Sequence, residues 1–245
     1  VGELSTYVAH EIRNPMFAIA GFANSLLRSG SLDEKSREKV SIILEESNRL
    51  DKILKSLLNF SRPTQGAEGR VDVGLVARQT MELMALGCQK QGIEVSVDAA
   101  QGLPLGKGDP ELIKQCIINM VKNAMEAMPD GGRLTLRCFA RGEKAVIELA
   151  DTGKGIPPEN LDQVFNPFFS TKDKGAGLGL AMTKKILDEA GGSVELESEQ
   201  GRGTTVRLVL PPMIAADETA MDAQAAPRHD ARWRAGAGGG NKEGE

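Results

Sequence analysis

Histidine, cysteine and aromatic side chains are all scarce in this chain. Its 245 residues include two histidines, three cysteines, one tryptophan, one tyrosine and seven phenylalanines. Cys88, Cys116 and Cys138 are scattered and form no Cys-x-x-Cys pair. That excludes a disulfide framework and fits a reducing compartment, with the thiols as small core residues. His10 and His229 alone leave no room for a histidine-based zinc centre. No apolar run reaches the roughly 18 residues that a membrane helix needs, and no signal peptide opens the chain. Lys and Arg number 30 against 34 Asp and Glu, a net charge of −4 that argues against nucleic-acid binding. The expectation is a cytoplasmic segment of a longer protein, in one or two domains, with no membrane contact of its own. Any histidine chemistry must fall on one of two positions.

What is present divides the chain. Residues 1–62 are rich in helix formers. From Asp33 onward Val40, Ser47 and Leu54 hold one heptad register and Ile43, Leu50 and Leu57 another, with Leu44 and Leu58 broadening the stripe. Before it, Leu4, Val8, Ile12, Ile19, Phe22 and Leu26 mark a second amphipathic helix. Ser29-Gly30-Ser31 breaks the pattern, and Asp33 suits an N-cap. Two arms alone bury a seam poorly, so the expected completion is a homodimeric four-helix bundle. Residues 63–70 read as a polar linker. In 71–212, helices are expected at Val73–Lys90, Asp109–Met128 and Leu178–Ala190. Strands are expected at Ile93–Val97, Arg133–Phe139, Ala145–Ala150, Ser193–Ser198 and Thr204–Leu210. A loop rich in glycine and proline fills Asp151–Gly177. This mixture predicts an α/β sandwich of the α+β kind, with helices on one face of a sheet. Residues 213–245 read as a disordered tail.

His10 lies in the run HEIRNP. On a helical wheel it falls almost opposite Leu4, Val8 and Ile12, on the exposed side of a bundle, with Asn14 one turn on along the same face. A neighbouring carboxylate, Glu11, can hold one ring N–H and leave the other nitrogen nucleophilic. Pro15 should bend the helix. GELSTYVAHEIRNPM resembles the phosphoacceptor box of sensor histidine kinases. The resemblance implies that His10 is phosphorylated, that Glu11 is the assisting base, and that Asn14 orients water for dephosphorylating a partner. His229 has no comparable setting.

Four later segments carry ligand-binding chemistry. Asn119 and Asn123, at i and i+4 on one helix, can hold Mg²⁺ and phosphates through oxygen. Asp151-Thr-Gly153-Lys-Gly155 ends a strand on an acceptor for an exocyclic amine and lets backbone approach closely. Phe165-Asn-Pro-Phe168-Phe169-Ser-Thr171-Lys172 clusters aromatics in a polar loop, either pinning that loop or forming a lid. Gly175-Ala-Gly177-Leu178-Gly179-Leu180 opens a helix whose amide N–H groups suit phosphate; its spacing is neither a P-loop nor a Rossmann fingerprint. In this order the four resemble the asparagine, glycine and phenylalanine boxes of the histidine kinase catalytic domain, an ATP-binding Bergerat fold. The closing GRGTTVRLVLP is similar to that domain's last hairpin.

The resemblance covers about residues 2–211. It implies ATP with Mg²⁺ on Asn123. Asn119, Lys122, Asp151, Gly153, Gly155, Ile156, Phe168, Thr171, Lys172, Gly175, Gly177, Leu178, Gly179, Leu180 and Thr204 would line the nucleotide site, with Asp151 on the adenine. It also implies a response-regulator receiver domain as partner, and a parent that can be membrane-anchored. Ala176 stands where many members carry a hydroxyl, and Asn166 where an acidic residue is usual. Two other readings stand beside it. In an ATP hydrolase of the gyrase, heat-shock chaperone or mismatch-repair type, a catalytic glutamate would occupy position 119, where asparagine cannot act as a base. In a non-catalytic dimeric scaffold, the intact His10, Glu11, Asn119, Asn123, Asp151 and Lys172 would be unexplained.

Overall fold

A computed structural model describes residues 2–61, 69–171 and 177–213. The expected tail and linker therefore lie outside the described residues, but for Gly69, Arg70 and Met213. No described helix is long and apolar enough to cross a membrane.

The chain begins with two long helices, α1 (Gly2–Arg28) and α2 (Glu34–Ser61), packed along their lengths. The turn between them is set locally. Gly30 takes φ +67°, and the Asp33 carboxylate accepts the Ser36 N–H at 2.7 Å, capping α2. Hydrogen bonds from the Ser36 hydroxyl and then its N–H hold the Asp33 carboxyl below its ordinary pKa. Pro15 sits inside α1, which runs helical on both sides of it.

The apolar pattern of the hairpin resolves into two seams. Within one chain, Met16, Ala23, Ser47, Leu54 and Leu58 are buried, with Arg13, Ala20, Leu27, Val40, Leu44 and Asp51 half-buried beside them. The other heptad positions face outward: Ile12, Ile19, Phe22 and Leu26 on α1, and Ile43, Leu50 and Leu57 on α2. The stripe expected on α1 is thus the outward one. Across the inner seam Arg13 Nε meets Asp51 Oδ1 at 3.4 Å, an ion pair rather than a well-formed hydrogen bond, and Lys55 joins Asp51 at 2.6 Å.

Beyond the linker comes an α/β sandwich. β2 (Ile93–Ala99), β4 (Gly132–Arg141), β5 (Lys144–Asp151), β7 (Gly203–Leu210) and β6 (Ser193–Glu199) form a five-stranded sheet in the order β2-β4-β5-β7-β6. β2 and β4 are parallel; the other pairs are antiparallel. Three helices, α3 (Val73–Lys90), α4 (Pro110–Ala127) and α5 (Gly179–Glu189), pack on it. Aspartates cap two of them: Asp72 accepts the Leu75 N–H at 2.9 Å, and Asp109 accepts the Glu111 N–H at 2.8 Å ahead of Pro110. Two elements escaped the periodicity because they are too short to show it: β1 (Arg70–Val71) and β3 (Gly106–Lys107), which pair with each other. A 3₁₀ helix, Pro158–Gln163, also interrupts the expected loop.

The core lies between helices and sheet. Ile113, Ile117 and Met120 of α4 meet Leu134, Leu136, Ile147, Leu149 and Leu208, all 0–1% exposed. Truncating such a residue to Ala costs about 2–5 kcal/mol. All three cysteines are buried here, as expected; burial pushes Cys116 and Cys138 up to about 12. Elsewhere on the sheet Arg207 bridges three strands, to Glu148 at 2.7 Å and Glu197 at 2.6 Å. Its hydrogen bond keeps the Glu197 carboxyl below its ordinary value.

Candidate functional site

The expected ligand residues come from segments far apart in sequence, and the sandwich brings most of them together. α4 carries Asn119 and Asn123, both half-buried, with Lys122 exposed between them. The α4 periodicity buries Cys116, Met120 and Ala124 and so holds the two amides at the edge of that stripe. The Asn119 Nδ2 donates to the Gly179 carbonyl at 3.4 Å, which ties α4 to the start of α5. A Cβ on Gly179 would sit only 3.8 Å from the Asn119 amide carbon.

α5 itself begins without a side-chain cap, because Leu178 at the N-cap has no polar atom and is buried. The N-cap side chain thus takes none of the amides of the first turn, and the helix dipole favours an anion there. Leu180 is half-buried.

β5 ends on Asp151, half-buried, whose Oδ1 accepts the Gly153 N–H at 2.8 Å. That bond turns the chain back over the end of α4. A Cβ on Gly153 would lie 2.7 Å from the Ala127 Cβ, and the Lys154 N–H donates to the Ala127 carbonyl at 3.0 Å. Gly155 takes φ +65°, and its Cα faces the Glu199 carbonyl so closely that a Cβ would clash. Close packing and left-handed backbone, not habit, demand glycine at these two positions.

On the other side of Asp151, Thr204 of β7 stands directly opposite in the β5–β7 register. Ser198, at the end of β6, joins these parts. Its Oγ accepts the Ile156 N–H at 2.9 Å and lies 3.0 Å from the Gly203 carbonyl and 2.9 Å from the Thr204 hydroxyl. The sequence reading missed Ser198. A signal was available: with Gly201 at the hairpin tip, counting back places Ser198 opposite Thr204.

The aromatic loop divides between packed and exposed side chains. Phe165 and Phe169 are half-buried, whereas Phe168 is 60% exposed. Phe168 is also the only non-glycine with positive φ among the described residues, at 68°, a conformation costing about 1–3 kcal/mol. The Phe168 N–H donates to the Gly177 carbonyl at 3.0 Å, so the base of the loop is closed. Thr171 is exposed. Lys172 and Gly175 lie outside the described residues, as does Ala176.

The other expected site is on α1. His10 and Glu11 are helical, though their side chains lie outside the description; Asn14 is exposed one turn later. The two outward and inward stripes of α1 share one side of the helix, and His10 falls on the other side. Arg13, which the sequence reading passed over, is half-buried and turned toward Asp51 across the inner seam.

Known proteins share this organisation. Residues 1–66 match the family model "His Kinase A (phospho-acceptor) domain". Residues 108–214 match "Histidine kinase-, DNA gyrase B-, and HSP90-like ATPase". The chain is 31% identical over 211 residues to "Sensor histidine kinase ZraS" of Escherichia coli (strain K12), covering 86% of this chain and 45% of that protein. It is 37% identical over 212 residues to "Sporulation kinase D" of Bacillus subtilis (strain 168), covering 86% and 42%. The chain thus spans less than half the length of these two relatives. Among solved structures, full-length ShkA in complex with AMPPNP aligns at TM-score 0.71 and 28% identity, over 88% of this chain and 47% of that one. Histidine kinase ThkA in complex with response regulator protein TrrA aligns at 0.64 and 29%, over 86% and 61%. With a phospho-acceptor domain followed in one chain by an ATPase domain of the histidine kinase type, this protein belongs to the sensor histidine kinase family of two-component systems.

Proposed function

We propose that this segment uses ATP to phosphorylate His10 and passes the phosphoryl group to an aspartate of a response-regulator receiver domain, with Asn14 supporting dephosphorylation of that regulator. The observation that carries the proposal is the pairing of the two family domains, in that order, on one chain. We assign residues 1–62 to dimerisation and phosphotransfer, 63–70 to the linker and 71–212 to ATP binding. The segment's place is the cytoplasm, where ATP and a receiver domain would meet it. The partner class is supported by the ThkA structure, which holds a response regulator.

In this reading a ring nitrogen of His10 attacks the γ-phosphorus in line. A P–N bond forms as the bond to the β–γ bridging oxygen breaks, and ADP leaves with that electron pair. Glu11 holds the other ring N–H and meets the positive charge growing on the imidazole. The uncapped first turn of α5 faces the phosphates, and Asn119 anchors that turn. Asp151 takes the exocyclic amine of adenine. Positioning and charge neutralisation supply most of the acceleration. Asn123 offers one half-buried amide oxygen, a hard donor that with phosphate oxygens and water suits Mg²⁺. That ion would neutralise phosphate charge when bound.

The outward stripes of both helices support a homodimer through the hairpin, with four helices enclosing them. Hydrolysis of ATP as the main activity is disfavoured because Asn119 has no proton-accepting carboxylate and its amide is engaged by Gly179. The test is incubation with γ-labelled ATP and Mg²⁺. The expected result is acid-labile, alkali-stable label that disappears in His10→Gln. Phosphate release without protein label would establish the hydrolase instead, and nucleotide binding with neither would establish the scaffold.

A further inference from the structure

Ser198 ties its own strand to two other segments, β7 and the loop after β5, through three polar groups, and its hydroxyl has a single proton to share among them. Resting on the nucleotide-site assignment above, we propose that Ser198 is a positioning residue that fixes the direction of the Thr204 hydroxyl. Thr204 is thereby left an acceptor toward the base, and the site selects a 6-aminopurine over a 6-oxopurine.

The argument is a count of protons and lone pairs. A serine hydroxyl has one O–H and two acceptor positions. The Ile156 N–H, 2.9 Å away, can only donate and takes one acceptor position. The Gly203 carbonyl, 3.0 Å away, can only accept and takes the proton. The Thr204 hydroxyl, 2.9 Å away, can do either, but Ser198 has only an acceptor position left. Thr204 therefore donates, and its one proton is spent. What it presents elsewhere is lone pairs.

Its neighbour across the strands is Asp151, also an acceptor. Gly153 already donates to one of the Asp151 oxygens, so backbone N–H groups orient the carboxylate as Ser198 orients the threonine. Two acceptors side by side match a group that donates twice, such as the amino group at position 6 of adenine. A carbonyl there would set lone pairs against lone pairs. A partly buried site built to hydrogen-bond one group rejects the analogue that leaves its polar atoms unpaired.

The test measures equilibrium binding of ATP and of ITP, which differ at position 6, to the whole chain. The variants are Ser198→Ala, Ser198→Thr, Thr204→Val and the Ser198→Ala/Thr204→Val double variant. Circular dichroism melting checks the fold of each. Wild type should prefer ATP. Ser198→Ala frees the Thr204 proton to donate, so the ATP/ITP affinity ratio should fall roughly tenfold, the scale of one hydrogen bond. Ser198→Thr keeps a hydroxyl and should keep the ratio. In the Thr204→Val background there is no hydroxyl to direct, so adding Ser198→Ala should leave the ratio unchanged. Loss of ATP and ITP binding by the same factor in Ser198→Ala would make Ser198 a mere support and overturn the inference. So would a ratio change that persists without the Thr204 hydroxyl, or a wild type that binds both nucleotides equally. A wild type that binds neither would overturn the nucleotide-site assignment itself.

Discussion

Phe22 offers a direct test of how the outward stripe of the hairpin is covered. In a single chain its side chain is 72% exposed, the most of any large apolar residue whose side chain is described on α1. A phenylalanine buries about 150–250 Å², so covering the exposed share of roughly 200 Å² removes about 145 Å² from water. At ~25 cal/mol/Å² that is about 3.6 kcal/mol per copy. Alanine would retain about a third of that area, so Phe22→Ala should cost about 2 kcal/mol per copy. A two-fold dimer carries the change twice, for a total of about 4–5 kcal/mol, which raises the dissociation constant about a thousandfold. Sedimentation velocity across the micromolar range reads this directly. Ser25→Glu, exposed and away from both seams, is the control and should leave the dimer intact. Helicity should be unchanged in both variants, because Phe22 makes little use of the inner seam. If wild type sediments as a monomer at 100 times the concentrations typical of a micromolar dimer, or if Phe22→Ala associates as wild type does, the outward stripe is not the interface.

Two further outcomes follow from the sandwich. Gly203→Ala places a Cβ against the Asp151 carbonyl at φ +115°; it should destabilise the domain by about 2–5 kcal/mol and weaken ATP binding by displacing Asp151, read by thermal melting and titration. A normal melt with normal ATP affinity would refute the close strand approach. Burial raises Cys116 and Cys138 from 9.0 to about 12, so both should resist alkylation at pH 8 until denaturant is added, seen by mass spectrometry. Because these folded values are raised, their contribution to stability is intact below pH 9 and is lost as pH climbs from about 9 toward 12. Alkaline melting that starts well below pH 9 would have to come from other groups.

Much of this protein was legible residue by residue. Asp33 announces a helix start because a short acceptor satisfies orphan N–H groups locally, and the structure shows Asp72 and Asp109 in the same role. Alternation marked β4 and β5, and β6 and β7 were also expected as strands. The four ligand segments were recognisable because their glycines and amides serve contacts within a few residues, such as the Gly153 N–H on Asp151. Phe168 was read as an aromatic that would line the nucleotide site; its positive φ goes with the closure to Gly177 and could not be read from spacing.

The amino-acid sequence alone determined the longer helices and strands, the heptad stripes, and which residue types were available for phosphotransfer and nucleotide binding. These depend on short-range periodicity and on chemistry carried by single side chains. Only the tertiary structure decided which stripe of the hairpin closes within the chain and which faces outward, since both registers carry apolar residues and the outward one is the more apolar of the two. Only it joined Asn119 to α5, Ala127 to Gly153, and Asp151 to Thr204. Each of those contacts spans an element or more of sequence, and its geometry follows from strand register and helix packing that no local pattern records. Ser198 is the clearest case: an ordinary serine in the chain, it becomes the junction of three segments once β6, β7 and the loop after β5 are folded together.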